Sequence, residues 1–97
     1  MLLLETKLGD YLLHNATRLD VYTTEEKETW VVHLRIDGSG QAILGFDSQS
    51  DALIFRALVR AILLDNLCEP RGREWKRLTM EDICQLALHK LTTKDLI

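Results

Sequence analysis

The sequence has few of the residues that mark a secreted, disulfide-stabilised protein. Its 97 residues include two cysteines, Cys68 and Cys84, and one proline, Pro70. Two cysteines are too few for a disulfide framework, and a reducing compartment would keep both as thiols. Cys84 and His89 are not spaced to share one helical face, so they do not form a metal-ligand pair. We therefore predict two free thiols, no metal site and no cofactor.

Long apolar runs are also missing. The apolar N-terminus ends at Glu5, whereas a secretory signal needs roughly 7–15 apolar residues behind a basic segment. A later run, Ala61 to Leu64, is far shorter than the roughly 20 residues of a membrane-spanning helix. We therefore expect a cytoplasmic protein that does not associate with membranes.

An excess of positive charge is likewise missing. Lys and Arg number 12 against 15 Asp and Glu, which gives a formal net charge of −3. This sign argues against a chain whose whole surface binds nucleic acid. Apolar residues make up 46% of the chain and charged residues 28%, as in ordinary globular proteins. Together with the length, these values predict a single domain over residues 1–97.

The N-terminal half alternates between apolar and polar residues, as strands do. From Trp30 to Asp37, every second residue is apolar and faces one side, and the others face the opposite side. The glycine-containing turn at 37–40 leads into a partner strand over 41–46. This pattern predicts a sheet over about 2–46, an antiparallel meander of three to four strands. Its other parts are strands at 11–14 and 18–22, a polar loop at 23–29, and a candidate fifth strand at 2–5.

The C-terminal half carries helical signals. Ser48 with Asp51, and Thr79 with Asp82, are variants of the capping box that opens a helix. They predict a long helix at about 48–66, a connector at 67–78 and a second, amphipathic helix at about 79–91. The expected fold is α+β, with the meander packed against the long helix. The predicted apolar face of the second helix comprises Met80, Cys84, Ala87, Leu88 and Leu91.

Sequence signatures of catalysis are missing from the chain. It contains no Gly-x-Ser-x-Gly, no phosphate-binding loop ending in Gly-Lys-Ser/Thr, and no His-Glu-x-x-His. These absences favour a protein without chemistry of its own.

The connector holds the first candidate binding surface, over residues 70–77. An aromatic ring among cations can stack on a base while the cations hold phosphates, or can bind an acidic protein partner. The ordinary alternative is a solvated loop with Trp75 packed in the core. The candidate residues are Arg71, Arg73, Trp75, Lys76 and Arg77.

The outer face of the sheet holds the second candidate surface. Strand parity places basic and aromatic side chains on the face opposite the helix. Arg and His suit carboxylates and phosphates, which indicates an anion or peptide platform. The ordinary alternative is the solvated polar face of an antiparallel sheet. The candidate residues are His14, Arg18, Tyr22, His33 and Arg35, with Asp20 among them.

The long helix predicts self-association. Between Ala52 and Leu64 it is apolar on almost every side except at Arg56 and Arg60, so one sheet cannot cover it all. A two-fold dimer would bury the remainder, with Leu58 and Ile62 expected at the interface. We therefore expect a small non-catalytic binding or adaptor module that acts as a homodimer and takes a protein partner. The alternative is a nucleic-acid-binding regulator that uses the basic connector 70–77.

Overall fold

The computed structural model describes residues 2–6, 9–68 and 76–93. Within these ranges, six strands, two α-helices and one short 3-10 helix follow one another. In chain order they are β1 (Leu2–Thr6), β2 (Gly9–Leu12), the 3-10 helix (Leu13–Asn15), β3 (Leu19–Glu26), β4 (Thr29–Ile36), β5 (Ser39–Phe46), α1 (Gln49–Cys68), β6 (Lys76–Thr79) and α2 (Met80–Thr93).

The strands form two three-stranded sheets. One is the predicted antiparallel meander, in the order β3-β4-β5. The other has the order β2-β1-β6, in which β1 is antiparallel to β2 and parallel to β6. The α+β fold with a meander against the long helix α1 is confirmed. The sequence pattern did not predict the division into two sheets.

The predicted strand parity of β4 is also confirmed. Val32, Leu34 and Ile36 are buried, and Trp30 packs half-buried at the edge of the same core. The facing side of α1 contributes Phe55, whose ring centroid lies 5.1 Å from that of Phe46 in β5. One part of the core therefore lies between the inner face of the meander and one side of α1, and β1, the 3-10 helix, β6 and α2 contribute the rest. The buried residues of α1 are Ala52, Phe55, Val59, Ile62 and Leu63.

The polar loop predicted at 23–29 is wrong. β3 continues to Glu26 and β4 begins at Thr29, so that only Lys27 and Glu28 form the turn. Both adopt positive φ, 49° and 68°, the backbone that a two-residue hairpin turn requires. Such turns usually contain Asn or Gly, and this one has neither, so its sequence gave no turn signal.

The connector predicted at 67–78 is partly regular structure. α1 continues to Cys68, and Lys76–Thr79 form β6, which pairs with β1 from Leu2 to Glu5. Leu78 of β6 is buried beside Leu4 of β1, its register partner. A four-residue strand with one buried residue has too little alternation to be recognised locally.

The capping box predicted for the second helix is present. The Thr79 amide donates to Asp82 Oδ2 at 3.2 Å, and the Asp82 amide donates to Thr79 Oγ1 at 3.0 Å. Thr79 itself closes β6, and α2 follows at Met80. The helix is rotated relative to the predicted face, because Ile83 and Ala87 are its fully buried residues. Cys84, placed at the centre of that face, is half-buried.

We predict that Leu34→Ala lowers the free energy of unfolding by about 2–5 kcal/mol, because it empties space in a closed core. Urea denaturation measures the change. Leu86→Ala is the matched control, since Leu86 is 46% exposed on α2. The control should lose no more than about 0.5 kcal/mol, as for a surface substitution. Equal effects of the two variants would contradict the strand parity.

Candidate functional site

The outer face of the meander carries a stacked cluster centred on Tyr22. Tyr22 of β3 and His33 of β4 are register partners, and their rings stack with centroids 5.0 Å apart and planes 10° apart. The guanidinium of Arg35, two residues further along β4, lies 4.7 Å from the centroid of the Tyr22 ring. The tyrosine therefore lies between a histidine and an arginine, in contact with both.

Tyr22 also reaches across β4 towards β5. A methyl group placed on Gly40 would lie 3.3 Å from the Tyr22 hydroxyl oxygen. Gly40 is the register partner of Arg35, so the hydroxyl lies over the third strand of the meander. Because glycine has no side chain, the Tyr22 hydroxyl has room to lie over Gly40.

Acidic residues of β3 lie close to the basic side chains of this face. Asp20 Oδ2 lies 3.1 Å from Arg18 Nε and 3.7 Å from Arg35 Nε. His33 Nε2 lies 2.7 Å from the hydroxyl of Thr24 and 4.0 Å from Glu26 Oε1. The structure thus brings Arg18, Tyr22, His33 and Arg35 together on one surface. Both arginines already pair with Asp20, so this surface is not a cluster of unpaired cations.

His14 lies apart from this cluster. It belongs to the 3-10 helix, and its Nδ1 accepts a hydrogen bond of 3.1 Å from the Leu2 amide. That bond ties the 3-10 helix to the start of β1. His14 was expected at the end of a strand, and its contact is instead with the second sheet.

The basic connector is described only at its end. Arg71, Arg73 and Trp75 lie outside the described residues. Lys76 and Arg77 belong to β6 rather than to a loop. The Lys76 ammonium donates to Asn66 Oδ1, and Arg77 Nε lies 3.5 Å from Glu5 Oε1 of β1. These two cations of the predicted nucleic-acid surface therefore bind the protein's own side chains.

α1 exposes an apolar stripe on the side opposite the core. Leu53 and Leu64 are 38% and 51% exposed, and three small residues lie between or beyond them. The five residues recur every three or four positions, which places them on one side of a helix. None of them is charged. We call this set the α1 stripe: Leu53, Ala57, Ala61, Leu64 and Cys68.

The two residues expected at a dimer interface are not on the exposed side of α1. Ile62 is buried in the core, and Leu58 packs half-buried against it. The spacing of the α1 stripe can be seen in the sequence, but the sequence also has apolar residues on almost every other side of α1. Only the position of the meander decides which face is left in solvent.

An apolar cleft of about 310 Å³ adjoins the α1 stripe at Leu64. It lies between the C-terminal half of α1 and the start of β3. Arg60 borders it and donates from Nη2 to the Val21 carbonyl oxygen at 3.1 Å. Apolar surface therefore continues beyond the stripe itself. The other residues around the cleft are Leu13, Ala16, Thr17, Leu19, Leu63 and Leu67.

The two cysteines are free and have different surroundings. Cys68 is exposed at the end of α1, and Cys84 is half-buried on α2. Burial raises the pKa of the Cys84 thiol, and the nearby carboxylate of Glu81 raises it further. In the described ranges, no three His, Cys, Asp or Glu side chains are grouped closely enough to hold a metal ion.

Comparison with known proteins assigns no family. No protein-family model matches the chain, and no curated protein and no solved structure matches it. Over residues 2–6, 9–68 and 76–93, no helix has the length and apolar character needed to cross a membrane. Function is therefore inferred from the geometry of the outer face and the α1 stripe alone.

We predict that Gly40→Ala is more destabilising in the wild-type protein than in a Tyr22→Phe background, because only the wild type has a hydroxyl in the way. A double-mutant cycle by urea denaturation should give a coupling of about 0.5 kcal/mol or more, as for residues in contact. Without the hydroxyl, alanine should be tolerated or favoured over glycine in the strand. Additive effects would show that Tyr22 does not lie over Gly40.

We predict that Cys68 is alkylated faster than Cys84 at pH 8. The thiolate is the reactive form, and the raised pKa of Cys84 keeps it protonated to higher pH. Iodoacetamide labelling followed by peptide mass spectrometry measures both rates in one sample. The Cys84 rate should keep rising as the pH is increased above 8. In urea the two rates should converge, and a difference that persists there would contradict burial as the cause.

Proposed function

We propose that the chain is a non-catalytic binding module that acts as a homodimer. The α1 stripe is the observation that carries the proposal. Scattered exposed leucines are normal on protein surfaces. This stripe instead runs without a charge along α1, whose 20 residues extend about 30 Å. Two-fold pairing buries the same patch on both copies, which makes a second copy of the chain the simplest partner.

The residue sizes along the stripe suit helix–helix contact. Ala57 and Ala61 occupy its middle, where small side chains let helix axes approach to about 8–10 Å. Leu53 and Leu64 flank them and offer apolar area that packing would remove from water.

Dimerisation through α1 leaves the outer face free. The inner face of the meander packs on α1, and the outer-face cluster points the other way. A dimer would therefore present two outer-face clusters on its far sides. Tyrosine and arginine are enriched at the energetic centres of protein interfaces, and Tyr22 with Arg35 offers that pair. The proposed role of this face is to bind a protein partner twice per dimer.

The same proposal covers compartment and chemistry. Two free thiols suit a reducing compartment such as the cytoplasm. The chain carries none of the catalytic signatures searched for in its sequence, which supports binding rather than catalysis. Binding of nucleic acid by residues 70–77 stays a prediction, and the partners of Lys76 and Arg77 do not favour it.

We predict that Leu64→Glu converts a dimer into a folded monomer, because it places an unpaired charge inside an apolar contact. Sedimentation equilibrium at micromolar protein should give the wild type a mass near twice 11.2 kDa, and the variant a mass near 11.2 kDa. Circular dichroism should show both to be folded, since Leu64 is already half in solvent.

Leu86→Glu is the control, because Leu86 has similar exposure but lies on α2 and is not part of the stripe. It should keep the mass of the dimer. A wild-type mass that stays near 11.2 kDa at all concentrations would overturn the proposed dimer. A dimeric Leu64→Glu variant would move the interface away from the stripe.

A further inference from the structure

The exposed side of α1 has the spacing of a coiled-coil seam. Ile54, Ala61 and Cys68 are each seven residues apart, and Ala57 and Leu64, also seven apart, alternate with them. Steps of three and four residues place these side chains on the a and d positions of a heptad. Four of these residues, Ala57, Ala61, Leu64 and Cys68, also belong to the α1 stripe. Ile54 lies half-buried at its edge.

The core residues of α1 fall on the opposite heptad positions. With Ile54 and Ala61 at a, the buried residues Phe55, Val59 and Ile62 occupy b and f. The seam therefore points away from the meander, and the core does not compete for it. A second helix can approach along it without disturbing the fold.

Two charged residues flank the seam on opposite sides. Arg60 occupies a g position and Asp65 the next e position, five residues later. Both are exposed. Arg60 uses one N–H on the Val21 carbonyl, which leaves its other donors available. Among the described residues, no ion pair joins Asp65 to another side chain.

The two flanking charges distinguish between helix orientations. In a parallel, in-register pair, each g residue faces the e residue five positions later on the other helix. Arg60 would then face Asp65 of the partner subunit, and the two-fold axis would create this ion pair twice. In an antiparallel pair, g faces g and e faces e. Arg60 would then meet Leu53, Leu67 or another Arg60, and Asp65 would meet Asp51, Leu58 or another Asp65.

We propose that two copies of the chain pair through α1 in parallel and in register, with Arg60 bound to Asp65 of the partner subunit. This inference rests on the proposed dimer and adds its interface, orientation and ion pairs. The two-fold axis then runs along the seam. Each residue of the seam lies beside its own counterpart, and both outer faces lie on the flanks of the dimer.

Parallel pairing has a direct chemical consequence at Cys68. As an a residue at the end of the seam, it would lie next to Cys68 of the partner subunit. A disulfide needs Cα atoms about 4.4–6.8 Å apart, a spacing that residues facing each other across such a seam can reach. In an antiparallel pair that sets Cys68 beside Ser50 of the partner subunit, the two Cys68 residues would be roughly 27 Å apart along the axis.

The test is oxidative cross-linking of a Cys84→Ser variant, in which Cys68 is the one thiol. Copper phenanthroline at micromolar protein should convert most of the chain to a species of twice the mass on a non-reducing gel. Ser50, a d position at the other end of α1, supplies the matched variant: Ser50→Cys in a Cys68→Ser, Cys84→Ser background. It should also cross-link to itself.

Antiparallel pairing gives the opposite pattern, in which neither variant links to itself but a mixture of the two links to each other. That pattern, or a dimeric mass with no cross-linking, would overturn the parallel seam and leave the proposed dimer intact. A monomeric mass in sedimentation would overturn both. The two failures are therefore distinguishable.

A charge exchange tests the ion pair separately. Asp65→Arg places two cations together and should weaken the dimer about tenfold. Arg60→Asp combined with Asp65→Arg restores opposite charges and should recover most of the affinity. Circular dichroism checks that the loss of the Arg60 bond to Val21 leaves the fold intact. An exchange variant no tighter than Asp65→Arg alone would overturn the Arg60–Asp65 contact.

Discussion

The alternation of β4 is the constraint on which the rest of the structure depends. As the central strand of the meander, β4 places Val32, Leu34 and Ile36 against α1. The same strand places His33 and Arg35 against Tyr22 on the other side. A slip of one residue would exchange the two faces and put charge into the core. The core, the outer-face cluster and the free side of α1 therefore all follow from one register.

Much of the fold could be predicted because its signals are local. Alternation in β4, the Asp37-Gly38 turn and the capping box of Thr79 each lie within a few residues of the structure they specify. The parallel pairing of β6 with β1 could not be predicted, because its partners lie at opposite ends of the chain. The Lys27-Glu28 turn was not predicted for a different reason. Both residues have left-handed backbone, but neither is a glycine, the residue that usually indicates such a turn.

For the candidate surfaces too, local patterns were predictable and tertiary contacts were not. Parity alone placed Arg18, Tyr22, His33 and Arg35 on one face, but not the pairing of their charges with Asp20 and its neighbours. The exposed side of α1 could not be predicted from the sequence, because a helix that is apolar almost all round does not show which side will pack on the sheet. That choice is a property of tertiary packing, and it buries Ile62 while leaving the α1 stripe exposed.

Asp37 joins the turn of one hairpin to the start of the strand beside it. Its carboxylate accepts the amides of Thr17 and Arg18 at 2.9 Å each, and its own amide donates to the Arg18 carbonyl at 2.9 Å. These three bonds connect the residues just before β3 to the turn between β4 and β5. They lie directly beyond the last register pair of the β3–β4 ladder, Leu19 with Ile36. One side chain therefore supports two junctions of the meander, its own hairpin turn and the end at which β3 begins.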